Sequence, residues 1–319
     1  GMQSIAREMR HVVDRTAQNY LLAQLHDMAA GIWDAQARTI AVPEGPTSMF
    51  LSQHFAVEAI LEKFGDDLHP GDVIITNDPF KGHCNHLPDW GFIRPVFYED
   101  ELVFVLLTRG HQLDTGGSFP GGYFANGYDI HAEGLMIPPI KIYDRGVERS
   151  DVLELIWNNV RFPEGVKIDN YALMAGLTVG EKRIHSLLDK YGKQAVLDCI
   201  EEMLDRMEVN VRATITEIPD GTYFGESATD DDGTTLDEQV WVRCEATIAG
   251  DEMTLDFTES DDQRTGFVNC VLASTYSRAV AGSFLFFDPE YSPFHNAGSM
   301  RPITLIAPEG SVCNAQYPA

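Results

Sequence analysis

The chain has 319 residues and a formal net charge of −26, from 49 acidic against 23 basic side chains. So acidic a surface repels phosphate backbones and argues against a nucleic-acid partner, while it suits docking onto a more basic protein. No run approaches the roughly 18 consecutive apolar residues of a membrane span, and the five scattered cysteines form no CxxC pair, so no membrane and a reducing cytoplasm are the expected setting.

The N-terminal GMQSIAREMRHVVDR is charged and amphipathic, lacks a signal-peptide apolar region, and carries a Gly before Met that reads as a cloning scar. Met9, Val12, Val13, Ala17, Tyr20, Leu21 and Leu25 recur at helical spacing, which predicts a helix over 2–29. Residues 31–43 read as a strand pair turning at DAQA, and 47–65 as a helix stopped at Gly65. A strand running into a turn starts at Gly71. The clearest hairpin lies over 89–110, where DWGFIRPVFY and LVFVLLTRG flank Glu99-Asp100-Glu101. Pro95 cannot donate to a ladder and predicts an edge or a bulge.

Residues 114–125 are Gly-rich and predict an irregular loop, followed by a strand at IPPIKIYD. Residues 151–214 read as helical, with Leu187, Tyr191, Val196, Ile200, Leu204 and Met207 as a buried stripe. Pro219-Asp-Gly stops that block. Short strands over 221–258, a helix over 272–286 and a strand over 302–307 complete the chain. The order lacks regular βαβ alternation and predicts an α+β fold, in three regions: 1–150, 151–215 and 216–319.

The chemistry concentrates in Gly82-His83-Cys84-Asn85-His86-Leu-Pro-Asp89 and Arg109-Gly-His111-Gln-Leu-Asp114. Around a three-residue loop at 99–101, cross-strand partners sum to 200. Asp89 and His111 satisfy that sum, which puts their Cβ atoms about 5 Å apart at the open end of the hairpin. His86, three residues before Asp89 in a Pro-containing loop, can curl toward the same point. Two His and one carboxylate leave positions open for water or substrate, as suits catalytic Zn, Fe(II) or Mn. Asp114 is placed to accept the second N–H of a ligand His, and His83 and Cys84 are spare candidates. Three histidines in one segment are equally compatible with ordinary surface or hydrogen-bonded core residues.

Gly116 and Gly117 open a loop whose backbone can approach a ligand closely. Glu133, beside His131, is a candidate general base or simply an acid at a strand entrance. No GxxxxGK[ST] or GxSxG occurs, so ATP is not expected on this chain. Asp230-Asp-Asp-Gly233 reads as a hairpin turn rather than a calcium loop, and Arg301 as an ion-pair partner rather than an anion site.

Thr76-Asn-Asp-Pro-Phe, His86-Leu-Pro-Asp89, Arg94-Pro-Val-Phe, His111-Gln-Leu-Asp114-Thr-Gly-Gly and Glu133-Gly-Leu-Met-Ile-Pro-Pro-Ile-Lys recur in order. Ile218-Pro-Asp-Gly-Thr-Tyr, Asp256-Phe-Thr-Glu-Ser and Asn296-Ala-Gly-Ser-Met-Arg-Pro-Ile follow. Together these segments resemble the hydantoinase B/oxoprolinase family, which includes the metal-bearing subunits of acetone- and acetophenone-type ketone carboxylases. The resemblance implies a metal held by His86, Asp89 and His111, and an acid with a catalytic role at Asp27. It also implies ATP bound by a hydantoinase A-like partner subunit, with a further small subunit as another partner, in a complex that phosphorylates its substrate. Two positions depart from the family: Gly82-His-Cys-Asn-His86 is one residue longer than Gly-Gly-Thr-His, and Gly110 replaces the first of a His pair. These favour carboxylation of an enolate over hydrolysis of a cyclic amide. The chain also stops where relatives continue, as a fragment or a short subunit would. Outside the family, the same ligand set fits an Fe(II) facial-triad oxygenase, and a non-catalytic scaffold is the third reading.

Overall fold

The computed structural model describes residues 1–286 and 295–319, apart from the side chains of residues 47 and 48. Seven strands build the first sheet: β1 (Met28–Asp34), β2 (Thr39–Ala41), β3 (Val73–Thr76), β4 (Asp89–Tyr98), β5 (Glu101–His111), β6 (Ile140–Asp144) and β7 (Val147–Glu148). Their order is β2-β1-β5-β4-β3-β6-β7, antiparallel throughout.

The described helices are α1 (Met2–Thr16), α2 (Tyr20–Ala23), α3 (Thr47–Phe50), α4 (Gln53–Phe64), α5 (Ser150–Trp157), α6 (Pro163–Tyr191), α7 (Lys193–Thr216), α8 (Leu272–Ser283) and α9 (Ala297–Met300). A second sheet holds β8 (Gly221–Thr229), β9 (Val240–Ala249), β10 (Glu252–Asp256) and β11 (Ile303–Ile306) in the order β11-β10-β9-β8. Its β10–β11 pair is parallel and its other pairs antiparallel. The architecture is α+β, as expected. No described helix is long and apolar enough to cross a membrane.

Helices cover both faces of the first sheet. On one face Ala30, Ile32, Phe92, Phe104 and Leu106 pack against Met9 and Val13 of α1 and Leu173 and Leu177 of α6. On the other, Trp33, Ile74, Ile93, Val105 and Leu107 pack against Val57 and Ile60 of α4. With both faces buried, all seven residues of β1 are buried, and that strand reads as a continuous apolar run rather than an alternation. Helix α7 reaches both cores: Val196, Ile200 and Leu204 join the first, and Met207, Val211 and Ile215 pack under the second sheet.

The helix expected over 2–29 is shorter, and the reason is local. The Asn19 side chain accepts from Leu21 N–H and so caps a new helix, while Asp169 Oδ1 accepts from the amides of Gln18 and Asn19. The chain then becomes β1 at Met28. The expected helix over 47–65 likewise divides at Leu51–Ser52, and the block over 151–214 divides into three.

Candidate metal centre

The register of β4 with β5 places Asp89 opposite His111, Gly91 opposite Arg109 and Ile93 opposite Leu107. The turn holds two residues rather than three. Glu99 and Asp100 take positive φ angles of 52° and 63°, and a bulge between Val96 and Phe97 restores the sum of 200 toward the open end. Pro95 sits opposite Val105, beyond the reach of β3, where its missing N–H costs no ladder bond.

The loop before β4 is shaped by the Thr76-Asn-Asp segment. Asn77 donates to the carbonyls of Leu87 and Leu135 and accepts from Ile137 N–H. Asp78 Oδ1 accepts from the amides of Phe80 and Lys81. Gly82 packs so tightly that a Cβ would lie 2.1 Å from Thr76 Oγ1. Asp89 N–H then donates to the His86 carbonyl, which curls the imidazole back over the strand end.

His86, Asp89 and His111 each offer a ligand atom within 4.8 Å of the others. His86 Nε2 lies 3.0 Å and His111 Nδ1 3.3 Å from Asp89 Oδ1. That oxygen is buried, yet neither ring N–H is aligned on it as a hydrogen bond. Donor atoms that converge on a point without bonding one another are arranged as ligands are. Two imidazoles and a carboxylate are also the donor set of open, catalytic divalent-metal sites. The residues present therefore fit a divalent cation, and these three could hold it. Burial opposes the charge of Asp89, but the two imidazoles outweigh it and hold the carboxyl well below the usual range. Burial likewise opposes the charge of His86, and Asp89 overrides it, so the imidazole is raised above its ordinary value.

The three residues line a cavity of about 420 Å³ together with Asp27, Glu133, Tyr123 and the segment 265–271, a volume in the range of small-molecule sites. Burial pushes Glu133 up to about 7 against the opposing pull of His86. Asp27 is raised as well, by burial and then by the Asp89 charge. Its Oδ2 lies 3.7 Å from His111 Nδ1, and its carbonyl accepts from His111 N–H. Tyr123 lies parallel to the His111 ring, centroids 5.8 Å apart, and burial pushes its hydroxyl up to about 12.

Several expected neighbours stand elsewhere. Both carboxylate oxygens of Asp114 are taken by Arg161 and the Gly116 amide, so it does not orient a ligand His. The chain leaves the strand after His111, and three residues on it has turned away. Gly116 and Gly117 do not line the cavity. They let the loop pack closely on neighbouring backbone: a Cβ at Gly116 would lie 1.8 Å from the Asn159 carbonyl oxygen, and one at Gly117 2.4 Å from the Glu133 carbonyl. Cys84 is buried against Thr76 and Arg109, its thiol raised to about 11 by burial, and His83 packs near Phe55. Arg301 pairs with Asp205 and Glu208, as expected. Gly110 faces the opposite side of the sheet, where a Cβ would lie 2.8 Å from Leu22 Cδ2, so its departure from a His pair leaves the ligand set untouched.

Sequence reasoning missed Tyr123, Asn85 and the 265–278 wall. Tyr123 had a weak signal as the aromatic in a Gly-Gly-Tyr loop. Asn85 donates to Asp89 Oδ2 at 3.4 Å and accepts from Arg109, a link that spacing alone does not reveal.

The family model described as Hydantoinase B/oxoprolinase matches residues 1–319. The caprolactamase beta chain of Pseudomonas jessenii is 33% identical over the whole of this chain, which covers 54% of that protein. The crystal structure of the ATP-dependent caprolactamase from the same organism superposes with a TM-score of 0.91 over 99% of this chain and 54% of that one. The B-type subunit of a putative D-/L-hydantoinase from Pseudomonas sp. (strain NS671) is 30% identical over the whole chain and 56% of its own length. A nucleotide-free acetone carboxylase structure shares the fold, with a TM-score of 0.90 at 20% identity over 98% of this chain and 43% of that one. The chain thus spans about half the length of the curated relatives it matches, and it belongs to the hydantoinase B/oxoprolinase family.

Proposed function

We propose that this chain is the metal-bearing part of an ATP-dependent enzyme complex that hydrolyses a cyclic amide after a partner subunit has phosphorylated the substrate's carbonyl oxygen. One observation carries the reading: His86, Asp89 and His111 converge at a cavity that also holds Glu133, a carboxylic acid raised to about 7. The relatives at 33% and 30% identity, a caprolactamase and a putative hydantoinase, support an amide substrate. Each of those relatives is named as one subunit of its enzyme, which supports partner chains here too.

The triad would hold a Zn, Mn or Fe ion. Such an ion supplies Lewis acidity to a carbonyl or phosphoryl oxygen. Asp27, whose carbonyl accepts from the His111 N–H, holds that residue in place. Glu133 is half ionised near neutral pH, so it can take a proton from the attacking water. It returns that proton to the ring nitrogen as the C–N bond breaks, leaving an acyl phosphate that a second water hydrolyses to the carboxylate and inorganic phosphate. Tyr123 covers His111 and limits bulk water on that side.

Carboxylation of an enolate is the second reading. Glu133 would then remove the proton from the carbon beside the carbonyl, and the lengthened loop before His86 favours this branch. The chain, assembled with its ATP-handling partner, separates the two readings when lactams, hydantoins and ketones are assayed with ATP, with and without bicarbonate. ATP-dependent ring opening is expected. Bicarbonate-dependent turnover of ketones alone would refute it.

A further inference from the structure

The cavity has one pole that the proposed reaction has not used. Its acidic lining is Asp27, Asp89, Asp129 and Glu133. Among the described residues that line it, Arg278 of α8 is the single Lys or Arg. The chain carries 49 acidic side chains for 23 basic ones, so a cation finds a carboxylate easily. Arg161, Arg243, Arg264 and Arg301 all do so. Arg278 is exposed toward the cavity and, among the described residues, has neither an ion pair nor a hydrogen bond.

Its position is set by the helix. Val271, Ser274 and Arg278 recur at the spacing of one α-helical face, and all three line the cavity. Ser274 Oγ donates to the Asn85 carbonyl and so ties this face to the ligand loop. Tyr123 lines the same cavity. It is parallel to His111, and its hydroxyl feels both the Asp89 charge and the opposing charge of Arg278.

We infer that Arg278 binds the phosphoryl group of the activated substrate, so that the reacting carbon is held over the triad. The inference rests on the phosphorylated-substrate reading above and deepens it. A dianion entering a cavity lined by four carboxylates is drawn only to its cations; with an ion held at the triad, Arg278 is the second one, and phosphoryl binding there leaves the ion to the reacting carbonyl. The planar fork of an arginine also matches two phosphate oxygens, which an ammonium does not.

The test is calorimetric titration of inorganic phosphate into the full chain, with ADP and ATP in parallel, for wild type, Arg278→Gln and Arg278→Lys. Metal content is read in each. Arg278→Gln is expected to weaken phosphate binding at least roughly tenfold, as for loss of a charge-assisted hydrogen bond. Arg278→Lys recovers part of that loss, and metal content stays constant. Equal phosphate affinity in wild type and Arg278→Gln would overturn the inference. So would the absence of phosphate binding in wild type, or tighter, Arg278-dependent binding of ATP, which would make the residue a nucleotide contact. The assembled complex keeps the two readings separate. Arg278-dependent phosphate binding without any cyclic-amide turnover refutes the hydrolase and leaves this site standing. Turnover with phosphate affinity independent of Arg278 does the reverse.

Discussion

Replacing Arg161 by alanine should destabilise the chain and loosen the loop that carries Tyr123. Asp114 is wholly buried, whereas the Arg161 side chain is 37% exposed. The Asp114 carboxylate accepts from Arg161 Nη1 at 2.9 Å, from Arg161 N–H at 2.7 Å and from Gly116 N–H at 3.0 Å. Removing one partner of a fully buried pair costs about 3–5 kcal/mol. Here two backbone donors remain and the guanidinium is partly wet, so about 2 kcal/mol is the expected loss. With an unfolding entropy of about 0.7 kcal/mol/K for a chain this long, that lowers Tm by about 3 °C. Arg161 also donates to the Gly117 carbonyl at the start of the Gly-rich loop, so KM should rise more than kcat falls. Denaturant titration of Arg161→Ala, Asp114→Asn and the double variant is the assay. The double variant should recover at least half of the loss, because a neutral amide needs no buried counter-charge. A loss under about 0.5 kcal/mol, or a double variant no better than Arg161→Ala, would refute this account of Asp114.

Wild type should show a rise in rate through a pH of about 7, and Glu133→Gln should abolish it and lower turnover by roughly 10²–10⁴; an unchanged pH profile removes Glu133 from the proton path. The same group gives a stability signature in metal-stripped protein. Its folded pKa lies above the unfolded 4.5, so the native state binds the proton more tightly and loses stability as pH rises from 4.5 through about 7. Glu133→Gln should therefore be more stable than wild type above pH 7 and equal to it below 4.5. Elemental analysis should find one divalent ion per chain in wild type and almost none in His111→Ala, and full retention of the ion by that variant sinks the ligand assignment. Gly116→Ala should cost more than about 3 kcal/mol, since its φ is +79° and its Cβ would strike the Asn159 carbonyl oxygen, whereas Gly121→Ala, with φ +89° and open space, costs only about 1–2 kcal/mol. Similar losses at both glycines would contradict the close approach of the loop to Asn159.

The parts of the site legible in the sequence are those fixed by local arithmetic. Asp89 and His111 meet because antiparallel register is a sum rule, and the sum is kept although the turn is one residue shorter than expected. The bulge at Val96–Phe97 takes up the difference before the ladder reaches the site. Asp114 escapes the same arithmetic because it ends where the strand ends, and its partner Arg161 lies 47 residues away. The break in the first helix is hidden for a similar reason. Apolar spacing runs through Tyr20 and Leu25, but Asp169, on α6, binds the two amides that stop α1.

The far wall of the cavity lies deeper still from sequence reasoning. Residues 265–278 reach it because α8 lies against α3, and that contact joins segments more than 200 residues apart with no shared periodicity. This division bears on how the site works. Two of the three ligands, Asp89 and His111, stand on a hairpin buried on both faces, where register leaves little freedom, and that suits atoms that must hold a cation within a few tenths of an ångström. Tyr123 comes from a glycine-rich loop, and Arg278 from a helix that meets the ligand loop at the Ser274–Asn85 bond. Those elements can adjust to the shape of a substrate without moving the triad. Variation in substrate within this family should therefore fall on the loop over 114–125 and on the cavity face of α8, while substitutions at Arg109 and Asn77 act on the triad itself.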